Sequence, residues 1–403
     1  MSKLPLDIIS DIFLRLPVKT LVRFKCLSKP CCAAIEDHDF IRLQLYRSKK
    51  TKSNLGLILK ALNLYTVDFD TLETAVSIDH PFSFACGTEA FGSCNGLIAL
   101  RNSEKCLALF NPSTRKLRKL PVSPIELPND SSKSGYVFYG FGQDVIANDY
   151  KVVRMVQFYR NENDEEGSFF DYEVKVYSLN NNSWKKISNL PCYLRFLFLF
   201  FYHLLHRRGY GVLVSGVLHW VLPPRSETSG RNMIVGFDLG TEEFLQVPQA
   251  ENNDENFLLD VGVLDGCLCM ICNYNHLSVD ILVMKEYGLK ESWTWLLSIQ
   301  KTIPADAVKF LRPLAYSNNL TKVLLEMDSQ KLVWYDLEKK RMRTVKIDGA
   351  PDTFSAEIFV GSLIPLDDRD EEQSKRQKEQ GENNNTSGKQ RDDFLSEGFK
   401  LVL

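Results

Sequence analysis

At 403 residues, with 44% hydrophobic and 25% charged residues and a formal net charge of -2, the chain has ordinary globular composition and room for a sizeable core. That balance excludes a globally basic nucleic-acid binder, and ten cysteines scattered over so long a chain do not form a disulfide framework. With no signal-type segment read ahead of the first helix, the expectation is a reducing compartment, cytoplasm or nucleus.

The first 48 or so residues read as helices. Leu4, Ile8, Ile9, Ile12, Phe13 and Leu16 recur at helical spacing, with Pro5 in the first turn and Asp7 near the positive end of the dipole. Pro17 stops that helix. Leu21, Phe24 and Leu27 mark a second, and residues 28–46 hold two more, with Asp37 or Asp39 as the cap before Phe40. Residues 49–54 continue a basic, polar stretch (RSKKTKSN from Arg47) that reads as a solvated linker, so residues 1–48 and the chain from residue 55 onward are expected to fold separately.

From residue 55 to 366 the pattern changes to short strands and turns. A unit of apolar β run, polar corner and second β run recurs six times, around Asp68, Asn111, Ser178, Asp238, Lys285 and Asp336. The corners lie 43 to 67 residues apart, bracketing the roughly 50-residue kelch blade. Gly-bounded apolar runs at 93–100, 209–222 and 261–274 supply companion strands, implying two hairpins per unit. The predicted fold is thus a small all-α module followed by an all-β, kelch-like six-bladed β-propeller, because each small sheet needs neighbours on both faces. Residues 367–393 are almost devoid of apolar side chains and read as disordered. In residues 394–403, Phe394, Phe399, Leu401 and Leu403 either dock back on the β domain or belong to a frayed end.

Leu4-Pro5-x-Asp7-Ile8-Ile9, followed by Leu16-Pro17-Val18-Lys19-x-Leu21-x-Arg23-Phe24-x-Cys26-Leu27-Ser28-Lys29, closely resembles a plant F-box. Cys31 stands where that family usually has Trp, and local repacking is expected there. Gly92-Ser-Cys-Asn-Gly96-Leu97, Phe110-Asn-Pro-Ser-Thr-Arg115, Asp149-Tyr-Lys-Val-Val153, Val174 to Tyr177 with Trp184, and His219-Trp220 resemble the F-box-associated domain of such proteins. The closing RDDFLSEGFKLVL, with Arg208 to Gly211, is similar to the constitutive-expresser-of-pathogenesis-related-genes type.

The resemblance implies a non-catalytic substrate receptor of a Skp-cullin-F-box ubiquitin ligase. A Skp-type adaptor, and through it a cullin, would bind the helices, and a target protein would bind the β domain. For that type, the implied targets are intracellular immune receptors, whose turnover restrains plant defence. Leu4, Pro5, Ile8, Ile9, Leu16, Pro17, Leu21, Phe24 and Leu27 are the expected adaptor contacts, with Ile12 and Phe13 assigned to the module's own core. The alternative is a propeller-type binding or scaffold protein, glycan-directed for instance, that acts outside a cullin complex.

Other signals point to packing. Cys267, Cys269 and Cys272 have one Cys-x-x-Cys spacing and no second pair, so they read as core thiols and no metal is expected. His203 and His206 lack the nearby Glu of a zincin. Trp184, Trp220, Trp293, Trp295 and Trp334 could be sugar platforms, yet their places in strands favour blade packing. Lys49, Lys50 and Lys52 form the only compact basic cluster, read as linker. The run Leu194 to Leu205 falls short of the roughly 20 residues of a membrane span. No cofactor motif is found.

Overall fold

The computed structural model describes residues 6–79, 88–102, 106–128, 133–159, 171–187, 190, 209–222, 232–251, 257–274, 278–300, 308 and 310–366. The apolar run at 194–205, His203, His206 and the segments at 367–393 and 394–403 lie outside them.

Four helices open the chain: α1 (Leu6–Leu14), α2 (Val18–Phe24), α3 (Lys29–Glu36) and α4 (His38–Thr51). Pro17 disfavours helix at the residue before it and so separates α1 from α2. Ser28 caps α3 through its Oγ, which accepts the Cys31 amide at 3.3 Å, with proline in the first turn. Of the two candidate caps for α4, Asp37 is the one used, its Oδ1 accepting from the Phe40 amide at 2.9 Å.

The rest of the described chain is six four-stranded antiparallel sheets. Blade 1 holds β1 (Leu55–Lys60), β2 (Leu64–Asp68) and β3 (Ala75–Ile78). Blade 2 holds β4 (Thr88–Cys94), β5 (Leu97–Asn102), β6 (Leu107–Asn111) and β7 (Lys116–Lys119). Blade 3 holds β8 (Lys133–Asp144), β9 (Asp149–Tyr159), β10 (Asp171–Ser178) and β11 (Ser183–Ile187). Blade 4 holds β12 (Val212–Val214), β13 (Val217–Leu222), β14 (Met233–Asp238) and β15 (Glu243–Val247). Blade 5 holds β16 (Leu258–Leu264), β17 (Cys267–Tyr274), β18 (Ser278–Met284) and β19 (Trp293–Gln300). Blade 6 holds β20 (Leu311–Tyr316), β21 (Lys322–Met327), β22 (Lys331–Asp336) and β23 (Arg341–Val345). The final strand, β24 (Ser355–Val360), returns to blade 1 and pairs with β1 in the register Leu55↔Val360 to Lys60↔Ser355, closing the ring.

All six repeat units fall on the outer hairpin of a blade, joining its third strand to its fourth. Four of their polar corners are Asx turns. Asp68, Asn111, Asp238 and Asp336 each accept two backbone amides on Oδ1, as in the bonds from Gly240 and Thr241 to Asp238 at 2.8 and 2.9 Å. Four residues beyond each corner the chain turns left-handed, at Leu72, Arg115, Glu242 and Lys340. Ser178 serves blade 3, its Oγ accepting from Asn181, and Asn182 is the left-handed residue there. Blade 5 departs: Lys285 begins a longer loop with a 3-10 turn at Lys290–Ser292.

Buried side chains form clusters between neighbouring blades, each sheet burying both faces. The first strands of successive sheets touch one another in order around the axis, so they line a central channel. In blades 2 to 6 the connection from first to second strand, and in all six blades that from third to fourth, emerge on one face, the near face, where β24 also ends and β1 begins. The remaining connections emerge on the opposite, far face.

The helices sit on the near face. Lys49 donates to Asn95 in the first turn of blade 2, and Lys52 pairs with Asp265 in the first turn of blade 5 at 2.8 Å. The expected solvated linker is a different object: α4 runs through Thr51, and Asn54 is tied at three points. Its Oδ1 accepts the Val18 amide, its Nδ2 donates to Ser48 Oγ, and its carbonyl accepts the Gly361 amide at 2.8 Å. These contacts tie the helices to the propeller within one compact unit, while Lys49 and Lys52 themselves stay exposed to solvent. Gly96 permits the close approach of blade 2 to the end of β24: a Cβ there would stand 2.4 Å from the Val360 carbonyl oxygen.

Candidate functional site

Phe13, Val18, Leu21, Ile35, Phe40 and Ile41 form the helical module's core together with Leu363, which follows the last propeller strand. Phe24 lies half-buried against it, its ring 5.8 Å from that of Phe13. Ile9, Leu16 and Cys31 also pack on this core from its edge. Cys31 thus occupies part of the site expected for an aromatic ring.

Outside the core, Ile8 is 47% exposed, Ile12 46% and Leu27 64%, and Pro17 is exposed as well. Ile8 and Ile12 are one α-helical turn apart and share a face of α1. Two of the expected assignments are corrected by this geometry. Leu21, expected as an adaptor contact, is fully enclosed, because α2 turns that side chain inward to the cluster that also holds Ile35 and Leu363. Ile12, expected inside, points outward, because α1 is apolar on more of its circumference than its own module covers. Phe13 is in the core as expected. Leu4 and Pro5 lie outside the described residues.

Leu43 and Tyr46 on α4 were not among the expected contacts, yet they are 51% and 61% exposed. The buried stripe of α4 runs through Phe40, Ile41, Gln44 and Ser48, so positions 43 and 46 face away from it, a pattern readable from helical spacing. Lys50 lies over the Tyr46 ring at 6.0 Å. Two exposed ion pairs, Arg15 with Asp11 at 2.7 Å and Lys25 with Glu36 at 3.1 Å, flank the module. The hydrogen bond and charge of Lys25 hold the Glu36 carboxyl below the usual range.

The second concave feature is the channel, a cavity of about 180 Å³. Glu357 binds Lys60 and accepts from Ser93 Oγ at 2.6 Å, while Arg312 pairs with the enclosed Glu326 at 2.7 Å. Desolvation pushes Glu357 up, and the charge of Lys60 overrides it, so the carboxyl is held below its ordinary value. These cations and carboxylates neutralise one another across the inner strands, and the cavity is smaller than the roughly 300–1,000 Å³ of typical small-molecule sites. Beside it, Tyr210 donates to Glu89, which also holds Arg101.

Cys269 and Cys272 lie on opposite faces of β17, Cys269 packed towards blade 6 and Cys272 towards blade 4. The Cys-x-x-Cys spacing on a strand therefore directs the two sulfurs apart. Among the described residues no cluster of three or more metal-type ligands is present, and no helix is long and apolar enough to cross a membrane. Trp220 is enclosed, the indoles of Trp184 and Trp293 donate to the Pro121 and Pro248 carbonyls, and Trp334 meets Phe69 edge-on. Trp295, on the outermost strand of blade 5, is 58% exposed.

Comparison with known proteins matches both parts. Residues 1–43 fit the F-box domain model, and residues 55–362 fit the F-box associated beta propeller domain model. Over 415 residues, covering all of both chains, the sequence is 50% identical to F-box protein CPR1 of Arabidopsis thaliana. It is 40% identical to F-box protein At4g22390 of the same plant over 407 residues, again covering both chains completely. With F-box/kelch-repeat protein At3g23880, also from Arabidopsis thaliana, it shares 28% identity over 91% of this chain and 96% of the other. A helical module at the N-terminus, a six-bladed ring behind it and full-length similarity to F-box proteins together place this chain in the F-box-associated β-propeller family.

Proposed function

We propose that this chain is the substrate-receptor subunit of a Skp-cullin-F-box ubiquitin ligase, binding a Skp-type adaptor through its helices and a target protein through its propeller. The observation that carries this reading is the outward apolar surface of the F-box, centred on Ile8, Ile12 and Leu27, which its own core leaves uncovered. The arrangement of the ring supports the division of labour. The helices occupy the near face, and among the described residues no helix lies on the far face. A receptor of this kind needs no catalytic residue of its own, because it raises the effective concentration of a target lysine near an enzyme carried elsewhere in the complex.

On the resemblance to the constitutive-expresser-of-pathogenesis-related-genes type, the targets are intracellular immune receptors and the outcome is restraint of plant defence in cytoplasm and nucleus. Affinity capture of the full chain from plant cells with the proteasome blocked tests this. Wild type is expected to bring down adaptor, cullin and target, whereas an Ile8→Asp, Ile12→Asp chain should retain the target and lose adaptor and cullin. Equal capture of adaptor by both would refute the adaptor assignment. Target levels indifferent to proteasome blockade would favour the scaffold reading.

A further inference from the structure

The helical module is not complete in the first 54 residues. Leu363, 3% exposed, is a member of its core alongside Leu21 and Ile35, and Ile364 packs on the same cluster. Both residues lie beyond the end of the matched propeller domain at 362, and far beyond the end of the matched F-box domain at 43.

The segment that delivers them is clamped by blade 2. Asn111 Nδ2 donates to the carbonyl oxygens of Ser362, at 3.2 Å, and Ile364, at 2.9 Å. Ser113 Oγ accepts the Ser362 amide at 3.3 Å, and Asn54 accepts the Gly361 amide. Asn111 itself is fully buried. The corner it occupies needs only an acceptor: Asp68, Asp238 and Asp336 do the same turn work with Oδ1 alone. Asparagine differs from aspartate in one respect that matters here, the amide donor, and that donor is the atom that holds the C-terminal segment.

From these contacts we infer that the adaptor-binding module of this protein is discontinuous. Leu363, held by Asn111, is a positioning residue that completes the F-box core and sets the helices on the propeller. This rests on the adaptor-binding reading above for its functional consequence, though not for its structural one. Closure of the ring by β24 and assembly of the F-box then become one event, because the strand that closes the ring leads within three residues to the side chain that fills the helical core.

Hydrogen exchange followed by mass spectrometry on the full chain decides the point, with adaptor affinity measured in parallel. Leu363→Asp should raise exchange in α1 to α4 by roughly 10- to 100-fold while β4 to β23 keep their protection, and should weaken adaptor binding by at least about tenfold. Leu363→Met, similar in volume and apolar, should restore both to within about twofold of wild type. Asn111→Asp keeps the turn acceptor, removes the donor and sets a carboxylate oxygen against the Ser362 and Ile364 carbonyls. It should raise exchange in the same helices by at least about threefold, and it provides the decisive reading if Leu363→Asp does not fold. Helix exchange unchanged in both Leu363→Asp and Asn111→Asp, or equally raised by Leu363→Met, overturns the inference. If helix exchange responds as described and the wild-type chain binds no adaptor, the discontinuous module stands and the adaptor assignment falls.

Discussion

Trimming Ile8 and Ile12 to alanine in the full chain separates docking from folding. Each side chain is close to half exposed, so roughly half of its surface remains to be covered by a partner. Complete burial of an aliphatic side chain of this size contributes about 1.5–3 kcal/mol, which leaves about 1 kcal/mol per residue for the interface. Loss of both therefore weakens binding by about 2 kcal/mol, or roughly 30-fold in Kd. The assay is isothermal titration of purified chain with a Skp-type adaptor, accompanied by a thermal melt. The melt should fall less than for a core truncation, because half of each side chain already faces water and neither belongs to the enclosed cluster of Phe13, Val18, Leu21 and Ile35. Leu21→Ala supplies the opposite pattern, with stability reduced by about 2–5 kcal/mol through a core cavity. A double variant whose Kd stays within about threefold of wild type would show that this face of α1 is not the docking surface.

Two further predictions concern the propeller. His219 is enclosed in β13, with Nε2 2.7 Å from the Tyr287 hydroxyl and Nδ1 3.0 Å from the Val212 carbonyl oxygen, and burial depresses its pKa to about 4. Because the folded value lies below the usual 6.5, the unfolded chain takes up the proton first as pH falls. This residue's contribution to stability is therefore intact above about pH 6.5 and declines towards pH 4, by about 3 kcal/mol in all. Urea midpoints at pH 7 and pH 4.5 should differ less in His219→Gln than in wild type, and an identical difference would refute the assignment. Gly140→Ala should cost about 1–3 kcal/mol in urea unfolding, since its Cβ would stand 2.7 Å from Leu218 and 2.8 Å from the enclosed Trp220; an unchanged midpoint would mean that the blades can separate there at little cost.

Local chemistry alone determined a great deal of this protein. Four of the six polar corners were legible because an Asx turn depends on a side-chain oxygen and the amides two and three residues on, all within one short stretch of sequence. Four-stranded units followed from alternating apolar runs, and the helical opening followed from its spacing, with Asp37 or Asp39 as the cap, of which the structure uses Asp37. Blade 5 shows the limit of such reading, as its corner replaces the Asx turn with a longer loop that only the paired strands on either side identify as equivalent.

What the tertiary structure decided concerns residues whose partners are remote in sequence. No pattern near Leu21 or Ile12 says which of them a module covers, because the cluster that encloses Leu21 includes the remote Leu363. Lys49, Lys52 and Asn54 have the composition of a solvated linker, and their burial or pairing depends on Asn95, Asp265 and Gly361, brought near by ring closure. Ring closure itself pairs Leu55 with Val360, a contact set by the sum of six blade rotations and by no local signal. Sequence periodicity specifies what each element is; only the closed ring specifies which faces are left for a partner.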